Sequence, residues 1–343
     1  MEKLVIRTEV NTLISGFLKD TFYSQIGVLV DENTRKSCYS VIQNQLPAHK
    51  LIEIPAGEEN KTLETCTKVW EQLTENKFDR HSLLIILGGG VLGDLGGFCA
   101  ATYKRGIDFL LIPTTLLAQV DASIGGKLGI DFQHYKNHIG VFQEPVSTQI
   151  SPIFLETLPE RELRSGFAEV IKHCLISDRA MWETISSRSL KDQDWNVLIK
   201  HSAEFKLSVI RQDPKEKGLR KILNFGHTIG HAIESYFLDH NERLFHGEAI
   251  AVGMICESYI GFKKEMISRS DLDQISNFIS KIYGKVNLPE VDLIITLMAQ
   301  DKKNKGNKIL MALTEGIGKA VWDIEVSREE IEEALRGYAS IQT

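Results

Sequence analysis

Cysteine is scarce in this chain, and what cysteine there is forms no pattern. The five residues, Cys38, Cys66, Cys99, Cys174 and Cys256, are widely spaced, odd in number and free of C-x-x-C spacing. That excludes a disulfide framework and a cysteine zinc site, and it predicts core thiols in a reducing compartment. Long apolar runs are also missing: none approaches the roughly 20 residues that span a bilayer. The first twenty residues, MEKLVIRTEVNTLISGFLKD, are broken by charges and lack a basic-then-apolar leader. A cytoplasmic protein with no membrane partner is the expectation. Charge of one sign is not concentrated either, because 40 basic against 46 acidic residues give a formal charge of -6 without a basic block. Nucleic acid is therefore not an expected partner, and any anion affinity must be local. No G-x-S-x-G motif and no Cys/His pair in a suitable context supports nucleophilic catalysis.

What is present is ample apolar material, 43% of 343 residues. Single cores stop growing near about 250–300 residues, so two domains are expected. The first half alternates short β-branched runs, IGVLV (26–30), LIEIP (51–55), LLIIL (83–87) and FLLIP (109–113), with an amphipathic stretch from Lys61 to Phe78. This is the βαβ pattern of a parallel sheet. From Leu158 the apolar spacing changes to three and four, and a hairpin-like pair near 309–322 interrupts it. No Pro/Gly/Ser linker, repeat or low-complexity segment occurs. The halves are expected to pack directly, with ligands in a cleft between them.

Three groups of residues carry chemistry. LLIIL runs into GGGVLGD (88–94) and then into a helical pattern. Strand, glycine turn and helix bring backbone N–H groups against a pyrophosphate, though tight packing alone can also call for such glycines. Asp31, after its own apolar strand, is placed like an acid that binds an adenosine ribose, but it precedes the glycines instead of following them. The second group is NFGHTIGHAIE, where His227 and His231 stand four apart on one helical face, with His246 following in HGE and Glu169 on another apolar helix. Such histidines either converge on one metal or divide ligation from acid–base work. The third is a set of cations at core-like positions, Lys127, Lys136, Lys172, Lys206 and Arg220. Singly each reads as a snorkelling side chain; together they suit a substrate with several negative charges.

GGGVLGD, PTTLLAQVDASIGGK (113–127), YKNHIG (135–140), LPERELRSGFAEVIKH (158–173), GLRKILNFGHTIGHAIE (218–234), HGEAIAVGM (246–254) and DKK (301–303) resemble, in order and spacing, the motifs of the 3-dehydroquinate synthase family of sugar phosphate cyclases. The likeness runs from about Asp31 to about Gly318. It implies a Rossmann-like α/β domain over 1–157 that holds NAD. It also implies a mostly α-helical domain over 158–343 that holds Zn2+, with Co2+ as an alternative ion. By motif position the metal ligands would be Glu169, His227 and His246. The cofactor contacts would be Asp31, Asn33, Glu58, Lys61, Gly90, Val91, Leu92, Gly93, Asp94, Thr114, Thr115, Lys127, Lys136, Thr157, Leu158 and Glu162. Substrate and catalytic positions would be Asp121, Lys127, Lys136, Asn137, Lys172, Lys206, Arg220, Asn224, His231 and, in DKK, Lys303. Arg105 matches an arginine that the family sends into its neighbour's site, which implies a homodimer.

The activity implied is closure of a seven-carbon sugar acid phosphate into a carbocycle. Transient oxidation by NAD comes first, then loss of phosphate, return of the hydride, ring opening and an intramolecular aldol step. The chain departs from the family's common pattern at 131–135 (DFQHY), at Gln143, Glu144 and Pro145, and at Ser151, without losing a motif residue. Other sugar phosphate cyclases and metal-dependent polyol dehydrogenases are the rival readings.

Overall fold

The computed structural model describes residues 3–8, 12–19, 21–133, 135–238, 243–299 and 309–340. The chain divides into two compact units, residues 1–159 with 195–203, and residues 160–194 with 204–343. Among the described residues no helix is long and apolar enough to cross a membrane.

Of the ten strands among the described residues, β1 (Leu4–Ile6), β2 (Ile26–Asp31), β3 (Lys50–Ile54), β4 (Leu83–Gly88), β5 (Asp108–Pro113), β6 (Lys127–Phe132), β7 (Tyr135–Phe142) and β8 (Ser147–Ile150) lie in the first unit, and β9 (Ile309–Thr314) and β10 (Ala320–Val326) in the second. Six of them form one parallel sheet in the order β1-β8-β5-β4-β2-β3. Every residue of β4 is buried, because successive side chains leave on opposite faces and both faces are covered. Leu84 and Ile86 pack with Val69 and Leu73 of the helix Leu63–Glu75 and with Leu95 of the helix Gly90–Thr102. Leu83, Ile85 and Leu87 pack with Ile42, Leu110 and Phe154 on the other side.

The four strands and the helix expected from the apolar runs are all present, with ends shifted by one to three residues. The antiparallel hairpin β6–β7 was not anticipated. Most of β7 is exposed, so it carries no apolar alternation to read.

The sheet order decides where a ligand fits. From β2 the chain goes outward to β3 in one direction, and from β4 to β5 in the other, which opens a crevice at the carboxyl ends of β2 and β4. Leu29 is opposite Ile86 and Gly88 opposite Pro113, so Asp31, the glycine turn and Thr114 leave the sheet at the same end.

In the second unit, the helices Glu160–Ser177, His227–Leu238 and His246–Lys263 carry the expected metal ligands. The last two touch backbone to backbone. A Cβ on Gly253 would lie 1.9 Å from the Gly226 carbonyl oxygen, and Gly226 itself has a left-handed φ of +79°. The wholly buried Glu257 locks this contact, accepting hydrogen bonds from the N–H of Gly226 at 2.6 Å and of Ile229 at 3.1 Å. A carboxylate at a helix start satisfies orphan donors and the positive end of the dipole together. At Gly247 a Cβ would meet the Ser165 carbonyl oxygen at 2.1 Å, while the Gly247 N–H donates to Ser165 Oγ at 3.1 Å. The helix bearing His246 is thereby pinned to the one bearing Glu169.

Candidate active site

The first unit builds a nucleotide crevice. A pocket there is lined by Gly88, Gly89, Gly90, Gly93, Asp94 and Lys127, among others. Gly89 precedes the helix Gly90–Thr102, so free N–H groups and the helix dipole face the glycine turn. A Cβ on Gly93 would meet nothing within 4 Å, so internal packing does not call for glycine there, and the open space would admit a ligand close to the backbone. Asp31, Thr114 and Thr157 gather around Cys38: both threonines hydrogen-bond its thiol, and burial together with the Asp31 carboxylate pushes that thiol up to about 11. Asp31 also caps the helix Glu32–Ser37, its Oδ1 accepting the Thr34 N–H at 2.7 Å, which leaves Oδ2 for a ribose hydroxyl. Asn33 is exposed in that helix. Thr115 accepts the Ala118 N–H at 3.2 Å at the start of the segment bearing Asp121.

Behind the crevice, Lys61 is 3% exposed and its Nζ donates to Asp94 Oδ2 at 2.6 Å and to Asn137 Oδ1 at 2.5 Å. The Asn137 N–H donates to Asp131 Oδ1 at 2.7 Å, and Lys136 Nζ stands 3.9 Å from Glu58. Burial opposes the Lys61 charge, yet Asp94 and Glu58 outweigh it and hold the ammonium above its ordinary value. This ties the hairpin β6–β7 to the glycine helix through Lys61, Asp94 and Asn137. Asp131 was not singled out in the sequence, since an acid in an exposed hairpin carries no signal of its own.

The second unit gathers a group of side chains that could hold a metal ion. Glu169 is fully buried. Lys172 Nζ lies against Oε2. His227 Nε2 and His246 Nε2 stand 3.3 and 3.4 Å from Oε1. The opposite ring nitrogens decide the tautomers: His227 Nδ1 is 3.0 Å from the Phe225 carbonyl and His246 Nδ1 is 3.2 Å from Glu234 Oε2, and both partners only accept. A neutral ring held in this way turns its Nε2 lone pair toward Glu169 Oε1. Lone pairs converging from three sides fit a divalent cation, and two histidines with a glutamate suit zinc.

Without a cation between them, the buried groups shift one another's protonation. Burial would raise the Glu169 carboxyl, but Lys172 and His227 outweigh burial and hold it well below the usual carboxylate range. Burial and Lys172 push His227 below the ordinary imidazole value. His246 is also opposed by burial, yet Glu169 and Glu234 raise it to about 10.

The remaining residues assigned by resemblance fall as follows. Lys172, Lys206 and Arg220 are all buried cations of the second unit. Arg220 Nη1 donates to the Pro214 carbonyl at 3.0 Å, and Asn224 Nδ2 donates to Glu216 Oε1 at 2.8 Å. The His231 ring lies 5.0 Å from His227 and 5.9 Å from His246, centroid to centroid. Burial raises the Glu162 carboxyl, against Arg243 and Arg161. Arg105 is exposed just past the glycine helix, with Lys104 and Arg105 both left-handed at φ 51° and 69°. Lys303 lies outside the described residues. Glu234 escaped the sequence reading although it lies two helical turns beyond His227 on the same face, a spacing that marks it as a neighbour.

The 3-dehydroquinate synthase N-terminal family model matches residues 51–165, and the C-terminal model matches residues 166–304. The 3-dehydroquinate synthase of Parabacteroides distasonis is 36% identical over 345 residues, 98% of each chain. Among solved structures, 2-epi-5-epi-valiolone synthase from Streptomyces hygroscopicus subsp. jinggangensis 5008, with NAD+ and Zn2+ bound, is similar with a TM-score of 0.88 at 26% identity, covering 99% of this chain and 97% of that one. A 2-deoxy-scyllo-inosose synthase complexed with carbaglucose-6-phosphate, NAD+ and Co2+ has a TM-score of 0.87 at 25% identity, covering 97% and 96%. With a nucleotide crevice in one unit, a His2Glu centre in the other and family matches across both, the chain belongs to the 3-dehydroquinate synthase family.

Proposed function

We propose that this chain converts 3-deoxy-D-arabino-heptulosonate 7-phosphate into 3-dehydroquinate and phosphate, a carbon–oxygen lyase step of the shikimate route to aromatic amino acids. The observation that carries the reading is the buried Glu169 carboxylate faced by His227 and His246. Likeness over 98% of the chain to a 3-dehydroquinate synthase supports this substrate over those of the valiolone and inosose synthases. When bound, NAD+ supplies a hydride acceptor that later returns the hydride, and Zn2+ or Co2+ supplies a Lewis acid.

Glu169, His227 and His246 hold the ion. In the first unit, the crevice residues from Asp31 to Leu158 hold the dinucleotide, and Asp121, Lys127, Lys136 and Asn137 orient the phosphate end of the substrate. In the second, the buried cations Lys172, Lys206 and Arg220, with Asn224, hold carboxylate and hydroxyl groups by charge-assisted hydrogen bonds. His231, with Lys127 and Asn137, positions the phosphate, which itself takes the neighbouring proton as it leaves. These residues contribute orientation more than bond-making.

Incubated with the heptulosonate phosphate, the enzyme should release one phosphate per substrate with no net NADH. Accumulating NADH would mark a polyol dehydrogenase instead, and preference for a sugar phosphate lacking the carboxylate would mark another cyclase.

The reading extends to a cytoplasmic homodimer, supported by five buried free thiols and by the exposure of Arg105, which would then enter the neighbouring subunit's site. Arg105→Ala should fold and lower turnover on the order of 10²-fold, as loss of one positioned donor does. Mixing it with a second inactive variant should restore activity through subunit exchange; no restoration would argue against a shared site.

A further inference from the structure

We propose that Glu234 is a positioning residue that orients the His246 ring and thereby sets how tightly the ion is held. This rests on the metal reading of Glu169, His227 and His246 and extends it to a residue outside the ligand set.

Two donor groups share His246. One is Glu169, His227 and His246, the other His231, Glu234 and His246, and in each the ligand atoms lie within 4.8 Å of one another. His246 cannot serve both, because a neutral imidazole ligates through one nitrogen and donates through the other. Its Nε2 faces Glu169 Oε1 at 3.4 Å, and its Nδ1 faces Glu234 Oε2 at 3.2 Å. His227 presents the same tautomer to the same oxygen, its Nδ1 held by the Phe225 carbonyl at 3.0 Å. Both rings thus aim at Glu169, and Glu234 stands behind one of them.

The two rings are backed differently. His227 donates to a neutral carbonyl, whereas His246 donates to a carboxylate, which makes its ring the more basic donor. The backbone of His246 is fixed by other means. Glu248 Oε2 accepts the Phe245 N–H at 2.9 Å, Arg161 donates twice to Glu248 at 2.8 Å, and its guanidinium lies 4.2 Å from the Phe245 ring centroid. Removing Glu234 should free the ring and leave the helix in place.

The test uses the full chain stripped by a chelator, then titrated with Zn2+ against a competing chelator and with Co2+ by visible absorption. Glu234→Ala should weaken both ions about 10- to 100-fold and shift the Co2+ bands. Glu234→Gln, which keeps an acceptor without the charge, should recover part of the affinity. Parental affinity and unchanged bands in both variants would overturn the proposal, and if Glu234→Ala does not fold, the same result in Glu234→Gln alone would do so. Glu169→Ala separates the two readings. Loss of tight binding there upholds the metal centre whatever Glu234 does, whereas retained binding with loss in Glu234→Ala would put the ion on the His231 side and overturn both.

Discussion

Glu169→Gln should purify without its metal ion and release phosphate at least on the order of 10³-fold more slowly than the parent. The glutamine keeps the side chain's volume but removes the charge on which His227 and His246 converge. A Lewis acid supplies several kcal/mol of stabilisation where charge develops, and each ~1.4 kcal/mol is tenfold in rate. Stability should fall as well. Lys172 is 1% exposed beside Glu169, and removing one member of a buried ion pair costs about 3–5 kcal/mol because the other charge stays buried. Adding Lys172→Met should then recover melting temperature without recovering metal or rate. Elemental analysis, thermal melts and phosphate release measure the three effects separately. One ion per chain in Glu169→Gln would remove this residue from the ligand set.

His231→Ala should show the opposite separation, keeping its zinc while turnover falls by about 10²- to 10⁴-fold, the range for loss of a group that positions a proton transfer. His231 sits one turn beyond His227, with its ring nearly perpendicular to that of His227 at 84° and 5.0 Å away. Both nitrogens aimed at Glu169 belong to other rings, and a glutamate with two histidines completes the protein ligands of a usual catalytic zinc site. His231 is thus near the ion without being needed to hold it. His227→Ala, by contrast, should lose metal and activity together. If His231 only packs, the alanine variant would melt at a lower temperature yet turn over at nearly the parental rate. If it ligates, its removal would release the zinc.

Much of this was legible before any coordinates, because it depends on local chemistry. LLIIL before GGGVLGD reads as a buried strand running into a phosphate turn, since a continuous apolar run needs both faces covered and only glycine admits a ligand so closely. His227 and His231 share a helical face through the helix period alone. The hairpin β6–β7 was illegible because exposed strands bury no alternating face.

Other features belong to the tertiary structure. Asp31 precedes the glycines by more than fifty residues, and only the placing of β2 beside β4 brings it to the same crevice. The sequence contains Glu169, His227 and His246 but does not say which nitrogens face which oxygens. That was decided by the Phe225 carbonyl and by Glu234, acceptors that choose the tautomers, and by Gly226 and Gly253, whose missing side chains let two helices close on each other. Local propensities select elements from neighbouring residues; a tautomer, a buried carboxylate faced by two imidazoles or a shared imidazole exists only once distant segments have packed and excluded water from the groups between them.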